Sequence, residues 1–223
     1  MTVEDKAMWG AGTRRRMAQG LLLGACLAGA SGAVAGPNDE FLACIYPQSA
    51  RPEQVIQTCS KLLNAKGGND EARAAALLSR GNMYRRTRQY DLALGDYDAA
   101  LRLDSNSAAL YTSRGNAWRG KRDYERALAD HDAAIKLDHN YAEAFSNRGN
   151  VHADRRDYDR AIADYDKAIE LKPDYAIAFY NRGLAWKAKG DRARAAADYR
   201  AALKHDAKLS QAAAALKTLG ENP

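Results

Sequence analysis

Apolar and aromatic side chains recur between residues 70 and 209 with the spacing of one face of an α-helix. Leu77, Gly81 and Tyr84 lie at positions i, i+4 and i+7. After a short polar stretch, Leu94 and Tyr97 begin a second set with helical spacing. The pattern predicts two amphipathic helices joined by a turn, and therefore an all-α fold.

This two-helix pattern occurs four times with a period of 34 residues. A glycine recurs in the first helix of every copy, at Gly81, Gly115, Gly149 and Gly183. An alanine recurs early in the second helix, at Ala93, Ala127, Ala161 and Ala195. Because these residues lack bulk, helix axes can approach closely while aromatic rings fill the gaps beside them. A fixed period of this length predicts an α-solenoid of stacked antiparallel helix pairs.

The period and these columns resemble the tetratricopeptide repeat family. The resemblance covers four repeats without insertions, at residues 74–107, 108–141, 142–175 and 176–209. It implies a superhelix whose first helices line a concave groove for a peptide or protein segment. The lysines of the family's carboxylate clamp are missing, so capture of chaperone C-terminal peptides is not expected.

The resemblance also implies which side chains face a bound segment, namely a polar column along the first helices. Carboxamides suit this role because each offers donors and an acceptor to an extended backbone. The candidates are Ser79, Asn82, Arg86, Thr112, Ser113, Asn116, Arg119, Ser146, Asn147, Asn150, Tyr180, Asn181 and Lys187. The alternative is that the column is only a solvated helix face.

The segments on either side of the repeats are predicted to cap the stack. Residues 36–73 are expected to form a degenerate helix pair and a linker, with Pro52 at the start of the second helix. Residues 210–223 are expected to form a closing helix and a tail.

Residues 1–35 have the features of a secretory signal peptide. Three arginines, Arg14 to Arg16, precede an apolar run, and Ala33-Val34-Ala35 supplies the cleavage pattern. We therefore expect export to the bacterial periplasm with cleavage after Ala35. Lipid attachment at Cys26 is the alternative, because residues 23–26 resemble a lipobox. The apolar run is too short for a membrane-spanning helix to be expected, and the mature chain is expected to have no transmembrane span.

Cleavage would remove Cys26 and leave two of the three cysteines, Cys44 and Cys59. In an oxidising compartment this pair is expected to form a disulfide. The alternative is two buried thiols that pack as small apolar residues.

No motif of a hydrolase, a metalloprotease or a nucleotide-binding loop is present, so neither an enzyme nor a cofactor is predicted. His131 and His152 occupy aromatic positions in successive repeats, and zinc binding with Asp130 is the alternative that this suggests. No metal site is predicted, because such a site needs more well-placed ligands. The favoured interpretation is that histidine fills an aromatic slot with its polar edge hydrogen-bonded.

Arginine precedes each repeat glycine, and an aspartate follows 16 residues after each arginine. The arginines are Arg80, Arg114, Arg148 and Arg182, and the aspartates are Asp96, Asp130, Asp164 and Asp198. Because the pair recurs in every copy, whereas a catalytic site would occur once, we interpret it as structural. It would tie together the two helices of a repeat, or neighbouring repeats.

The net charge is +6, and basic residues cluster where each first helix ends. Cations there complement the helix dipole. Stacking would also align them into a basic stripe, so binding of an anionic envelope polymer or an acidic partner is the alternative function. Nucleic acid is not an expected partner, because the repeat period differs from that of the related RNA-binding repeats and because export is predicted.

Overall fold

The computed structural model describes residues 37–46, 50–65 and 68–221, and within these ranges the chain contains eleven α-helices and no strand. The all-α prediction is therefore confirmed. The helices are α1 Pro37–Ile45, α2 Pro52–Asn64, α3 Asp70–Arg86, α4 Tyr90–Leu103, α5 Ala108–Gly120, α6 Tyr124–Leu137, α7 Ala142–Asp154, α8 Tyr158–Leu171, α9 Ala176–Ala188, α10 Arg192–His205 and α11 Ser210–Thr218. The signal peptide, its cleavage site at Ala35 and the lipid alternative at Cys26 lie outside the described residues.

The four repeats form the pairs α3–α4, α5–α6, α7–α8 and α9–α10, and each pair also packs against the next. The turn inside each repeat uses one residue with positive φ, at Arg88, Arg122, Arg156 and Gly190. The second helices of the last three repeats begin with an aspartate cap, in which Asp123, Asp157 and Asp191 each accept a hydrogen bond from a backbone N–H three residues on.

The repeat glycine allows the first helix to lie directly on the aromatic ring of the second. A Cβ atom added at Gly149 would lie 2.8 Å from a ring carbon of Tyr165, and one at Gly81 would lie 2.7 Å from the Tyr97 ring. The alanine of the second helix is fully buried in all four copies. The core therefore follows the interface between first and second helices along the whole stack.

Arginine–aspartate pairs connect the repeats, as the recurring columns predicted. Arg114 donates two hydrogen bonds to the Asp130 carboxylate, at 2.6 and 2.9 Å, and a third, at 2.8 Å, to Asp98 of the preceding repeat. Arg148 and Arg182 repeat this arrangement. Each guanidinium thus ties together both helices of its repeat and the repeat before it.

The arginine of each pair is held in its charged form. Hydrogen bonds to the carboxylates raise the pKa of Arg114, Arg148 and Arg182 above the usual range, although burial opposes this effect. Burial raises the pKa of Asp130, while the hydrogen bonds from Arg114 lower it. The carboxylate is therefore costly to bury without its arginine.

Both ends of the stack are closed by shorter elements. At the N-terminal end, a disulfide joins Cys44 of α1 to Cys59 of α2, and both cysteines are fully buried. The second helix of this pair begins at Pro52, as predicted. At the other end, α11 places Leu216 against the core that contains Tyr199.

Candidate binding groove

The first helices α3, α5, α7 and α9 contact one another in sequence, in addition to their contacts with the second helices. The second helices of neighbouring repeats make no comparable contacts in the part of the chain that the structure describes. First helices of neighbouring repeats therefore contact one another more extensively than second helices do. We refer to the surface formed by α3, α5, α7 and α9 as the first-helix face.

Six of the polar candidates are buried in the first-helix face instead of being presented on it. They are Ser79, Asn82, Thr112, Ser113, Ser146 and Asn150. Ser79 donates a 2.6 Å hydrogen bond to the backbone carbonyl of Cys44, so it joins the first repeat to the N-terminal cap. A bound segment could reach most of these side chains only if the helices moved; Asn150 is the exception, because it lines a surface cavity.

The other candidates remain accessible. Arg86, Asn116, Arg119, Asn147, Tyr180 and Asn181 are half-buried, and Lys187 is exposed. Arg119 forms an ion pair at 2.7 Å with Asp154 of the following repeat, and Lys187 donates to the Thr218 hydroxyl. Among the asparagines, Asn116, Asn147 and Asn181 are thus the ones that this face offers to a partner, and Asn116 offers only its Nδ2, because its Oδ1 is buried.

The buried asparagines accept hydrogen bonds from tyrosines of the second helices. The Tyr97 hydroxyl donates to Asn82 Oδ1, and the Tyr165 hydroxyl donates to Asn150 Oδ1, both at 2.8 Å. Sequence reasoning assigned Asn82 and Asn150 to ligand binding and missed this internal role. The recurring separation of 15 residues between asparagine and tyrosine was the signal that could have revealed it.

The second repeat lacks this hydrogen bond, because His131 stands where the other repeats have tyrosine. Its ring is fully buried, and neither Nδ1 nor Nε2 has a hydrogen-bond partner. Oδ1 of Asn116, the equivalent asparagine, is also buried and unpaired. The expectation that the polar edge of the histidine would be hydrogen-bonded is therefore wrong. Burial, together with the charges of Arg119 and Arg148, lowers the pKa of His131 to about 3.

The fourth repeat lacks the same hydrogen bond for the opposite reason. Here the tyrosine is present, as Tyr199, but Leu184 occupies the position of the asparagine. The Tyr199 hydroxyl is buried without a partner, and Leu184 is 40% exposed on the first-helix face. This exposed leucine lies beside a cavity.

That cavity, of about 160 Å³, lies between α7 and α9. Its apolar lining comes from Ala153, Leu184 and Ala185 and from the rings of Tyr158 and Tyr165. Its polar lining comes from Asn150, Asn181, Arg119 and Asp154. We refer to it as the α7–α9 pocket.

The histidines do not assemble a metal site. His152 lies with Nε2 3.9 Å from Oδ2 of Asp164, which already pairs with an arginine. Among the described residues, no group of three or more histidine, cysteine, aspartate or glutamate side chains could hold a metal ion. The zinc interpretation for His131, His152 and Asp130 is not supported.

Acidic side chains of neighbouring helices neutralise much of the basic stripe. Lys121 pairs with Asp91 and Lys189 with Asp159. Arg155 forms an equivalent pair with Glu125 at 2.8 Å. Among the described residues, the exposed cations Arg88, Arg122 and Arg156, which share one position of the repeat, have no ion pair.

None of the helices in the described ranges combines the length and apolar character needed to cross a lipid bilayer.

Comparisons with known proteins agree with this architecture. Two tetratricopeptide repeat models match the chain, over residues 78–142 and 142–175. The crystal structure of MamA is 29% identical and covers 72% of this chain and 91% of its own, with a TM-score of 0.57. TTC0263, a thermophilic tetratricopeptide repeat protein in Thermus thermophilus, is 18% identical to this chain and covers 82% of this chain and 98% of its own, with a TM-score of 0.70.

A third structure contains a ligand. It is the first tetratricopeptide domain of Spaghetti (RPAP3) bound to the HSP90 peptide SRMEEVD. It is 26% identical to this chain and covers 55% of this chain and 97% of its own, with a TM-score of 0.50. A search of curated proteins gives no significant match.

Proposed function

Since this chain is a tetratricopeptide-like helical solenoid, we propose that it is a non-catalytic scaffold that binds a peptide or protein segment along its first-helix face. The observation that carries this proposal is the α7–α9 pocket, because it opens on that face beside the half-buried amide of Asn181. The RPAP3 domain, which has a related fold, is bound to a peptide. That complex supports a peptide as the class of partner.

The chemistry of the face suits an extended backbone. Asn116, Asn147 and Asn181 lie on three successive first helices and are each half-buried. Such side chains have already lost part of their hydration and conformational freedom, so less is lost when they pair with a ligand. An extended peptide has unpaired N–H and C=O groups along its length, and carboxamides can satisfy both.

A random 12-residue peptide library displayed on phage tests the proposal. Peptides enriched on the immobilised full chain should bind the triple variant Asn116→Ala, Asn147→Ala and Asn181→Ala at least tenfold more weakly, since hydrogen bonds at several positions are lost. The matched control replaces three exposed cations on the second helices, Arg102, Lys136 and Lys204, by alanine. Equal binding by the two triple variants, or no enrichment on the wild-type chain, would refute groove binding.

We also propose that the protein works in the bacterial periplasm. The signal-like residues 1–35 motivate this location, and the Cys44–Cys59 disulfide is consistent with it, because disulfides persist in oxidising compartments. Intact mass measurement after expression in a Gram-negative host should give a chain beginning at Gly36. A chain that begins with an acylated Cys26 would instead indicate a protein anchored to the membrane by a lipid. A chain that retains residues 1–35 would contradict export.

One observation favours a second candidate, binding of an anionic envelope polymer or an acidic partner. Arg88, Arg122 and Arg156 adopt φ values of 61–64°, where glycine would be the favoured residue, and all three are exposed. Poly-L-glutamate is a suitable probe. Binding that weakens as salt rises, and that is lost when these arginines become alanine but kept in the asparagine triple variant, would favour this candidate.

A further inference from the structure

We propose that the α7–α9 pocket receives one aliphatic side chain of the bound segment, of leucine, isoleucine or methionine size. This inference rests on the proposed function, since it gives the peptide its chemical character at one position. It concerns a single repeat junction, between the third and fourth repeats. The pocket would make binding depend on the sequence of the peptide, whereas the amides contact only the peptide backbone.

The volume of the pocket limits what it can hold. Drug-sized ligands and cofactors occupy cavities of about 300–1,000 Å³, whereas this one has about 160 Å³. An apolar cavity of about 150 Å³ accommodates a group the size of benzene. One medium-sized side chain therefore fits, and a cofactor does not.

The lining selects an aliphatic occupant. Ala153, Leu184, Ala185 and the rings of Tyr158 and Tyr165 offer no charge to an incoming group. The two charged residues at the pocket, Arg119 and Asp154, already pair with each other at 2.7 Å. A charged side chain would thus lose water without gaining a free partner, whereas an aliphatic one gains from leaving water.

Leu184 makes this junction different from the others. The equivalent position holds Asn82, Asn116 or Asn150 in the other repeats, and in two of them this asparagine accepts the tyrosine hydroxyl. With leucine there, the Tyr199 hydroxyl loses its partner. The fourth repeat gives up an internal hydrogen bond and presents an apolar side chain at the pocket instead.

Amides beside the pocket can hold the backbone that carries the side chain. Asn150 Oδ1 accepts from both the Tyr165 hydroxyl and Asn181 Nδ2, the latter at 2.9 Å. This pairing fixes both amides and leaves Asn181 Oδ1 without a partner among the described residues. A peptide N–H can bond to that oxygen while its side chain enters the pocket.

Methyl NMR of the full chain with N-acetyl-leucine N-methylamide as the probe tests the inference. Saturable shifts are expected at the methyl groups of Leu184, Ala153 and Ala185, with an affinity at least tenfold higher than for the capped aspartate analogue. Absence of saturable shifts at these methyls, or equal affinity for the aspartate analogue, would overturn the proposal.

The substitution Leu184→Asn provides a variant that should fold. It copies the arrangement of the first and third repeats, so the introduced amide can accept the Tyr199 hydroxyl and the melting temperature should not fall. Affinity for the leucine probe should drop about tenfold, because apolar contact area is removed from the pocket. The matched control Leu92→Asn changes an exposed leucine on α4 and should leave the affinity unchanged. Equal effects of the two substitutions would contradict the assignment.

The two proposals fail in different ways. If library peptides bind the groove without a preference for aliphatic residues, and bind the Leu184→Asn variant as tightly as the wild type, the pocket assignment is wrong and groove binding stands. If no peptide is enriched on the wild-type chain, groove binding is wrong, and the pocket then has no bound segment to fill it even if the leucine probe binds at Leu184.

Discussion

Lowering the pH should destabilise the second repeat through His131. This ring is fully buried, has no hydrogen-bond partner, and is flanked by the charges of Arg119 and Arg148, which together hold its pKa at about 3 in the folded chain. In the unfolded chain the pKa returns to the ordinary value of about 6.5. Between these values the unfolded state binds more protons than the folded state. Stability from this group is therefore fully present above pH 6.5 and is lost as the pH falls.

The size of the effect follows from the two pKa values. Each pH unit below 6.5 should lower the free energy of unfolding by about 1.4 kcal/mol, which gives about 2 kcal/mol at pH 5 relative to pH 7.5. Carboxylates elsewhere in the chain are also protonated as the pH falls. The contribution of His131 is therefore measured as the difference in the free energy of unfolding between the wild type and a variant. His131→Tyr is the informative variant, because it copies the first and third repeats.

The introduced hydroxyl should donate to Asn116 Oδ1, which is unpaired in the wild type. His131→Tyr should then raise the free energy of unfolding by about 1 kcal/mol at neutral pH and remove the histidine contribution at low pH. Urea unfolding followed by circular dichroism between pH 7.5 and 5 measures both. His139→Gln, at an exposed turn, serves as the control with an unchanged profile. Parallel curves for wild type and His131→Tyr across this range would refute the reasoning.

Three further experiments test the packing of the stack. Gly149→Val should lower the free energy of unfolding by about 3 kcal/mol, because its Cβ would lie 2.8 Å from the Tyr165 ring; Gly95→Ala, with no atom near its Cβ, should not lower the urea midpoint. Arg148→Ala should cost about 3 kcal/mol by leaving a buried carboxylate unpaired, and an unchanged melting temperature would contradict that role. Replacing both Cys44 and Cys59 by alanine should cost about 3 kcal/mol, and reducing agent should then no longer shift the unfolding midpoint, whereas it should lower that of the wild type.

Local spacing was sufficient to predict most of the fold. Leu77, Gly81 and Tyr84 establish a helical stripe, and the 34-residue period requires each copy to bury its stripe against the next. The Arg148–Asp164 pair was also predictable, because both partners recur at a constant separation in every repeat. Its second partner, Asp132 of the preceding repeat, became evident only in the stack.

The contacts of the polar side chains were harder to predict than the stack. A helical wheel places Asn82 and Asn116 on the same side of their helices, and the sequence assigned both to ligand binding. The structure buries Asn82 under the Tyr97 hydroxyl and leaves Asn116 half-buried. Whether the asparagine oxygen is hydrogen-bonded depends on which ring the opposite helix presents, and a wheel drawn for one helix contains no information about the other.

The sequence by itself therefore determined the helices, their pairing and their stacking, because helical periodicity and repeat length are properties of residues close together along the chain. Only the tertiary structure decided which polar groups remain available, since availability depends on contacts between α7, α8 and α9. The α7–α9 pocket is of this kind. It is formed by Ala153, Tyr165 and Leu184 from three different helices, and it exists because those helices meet with space left between them.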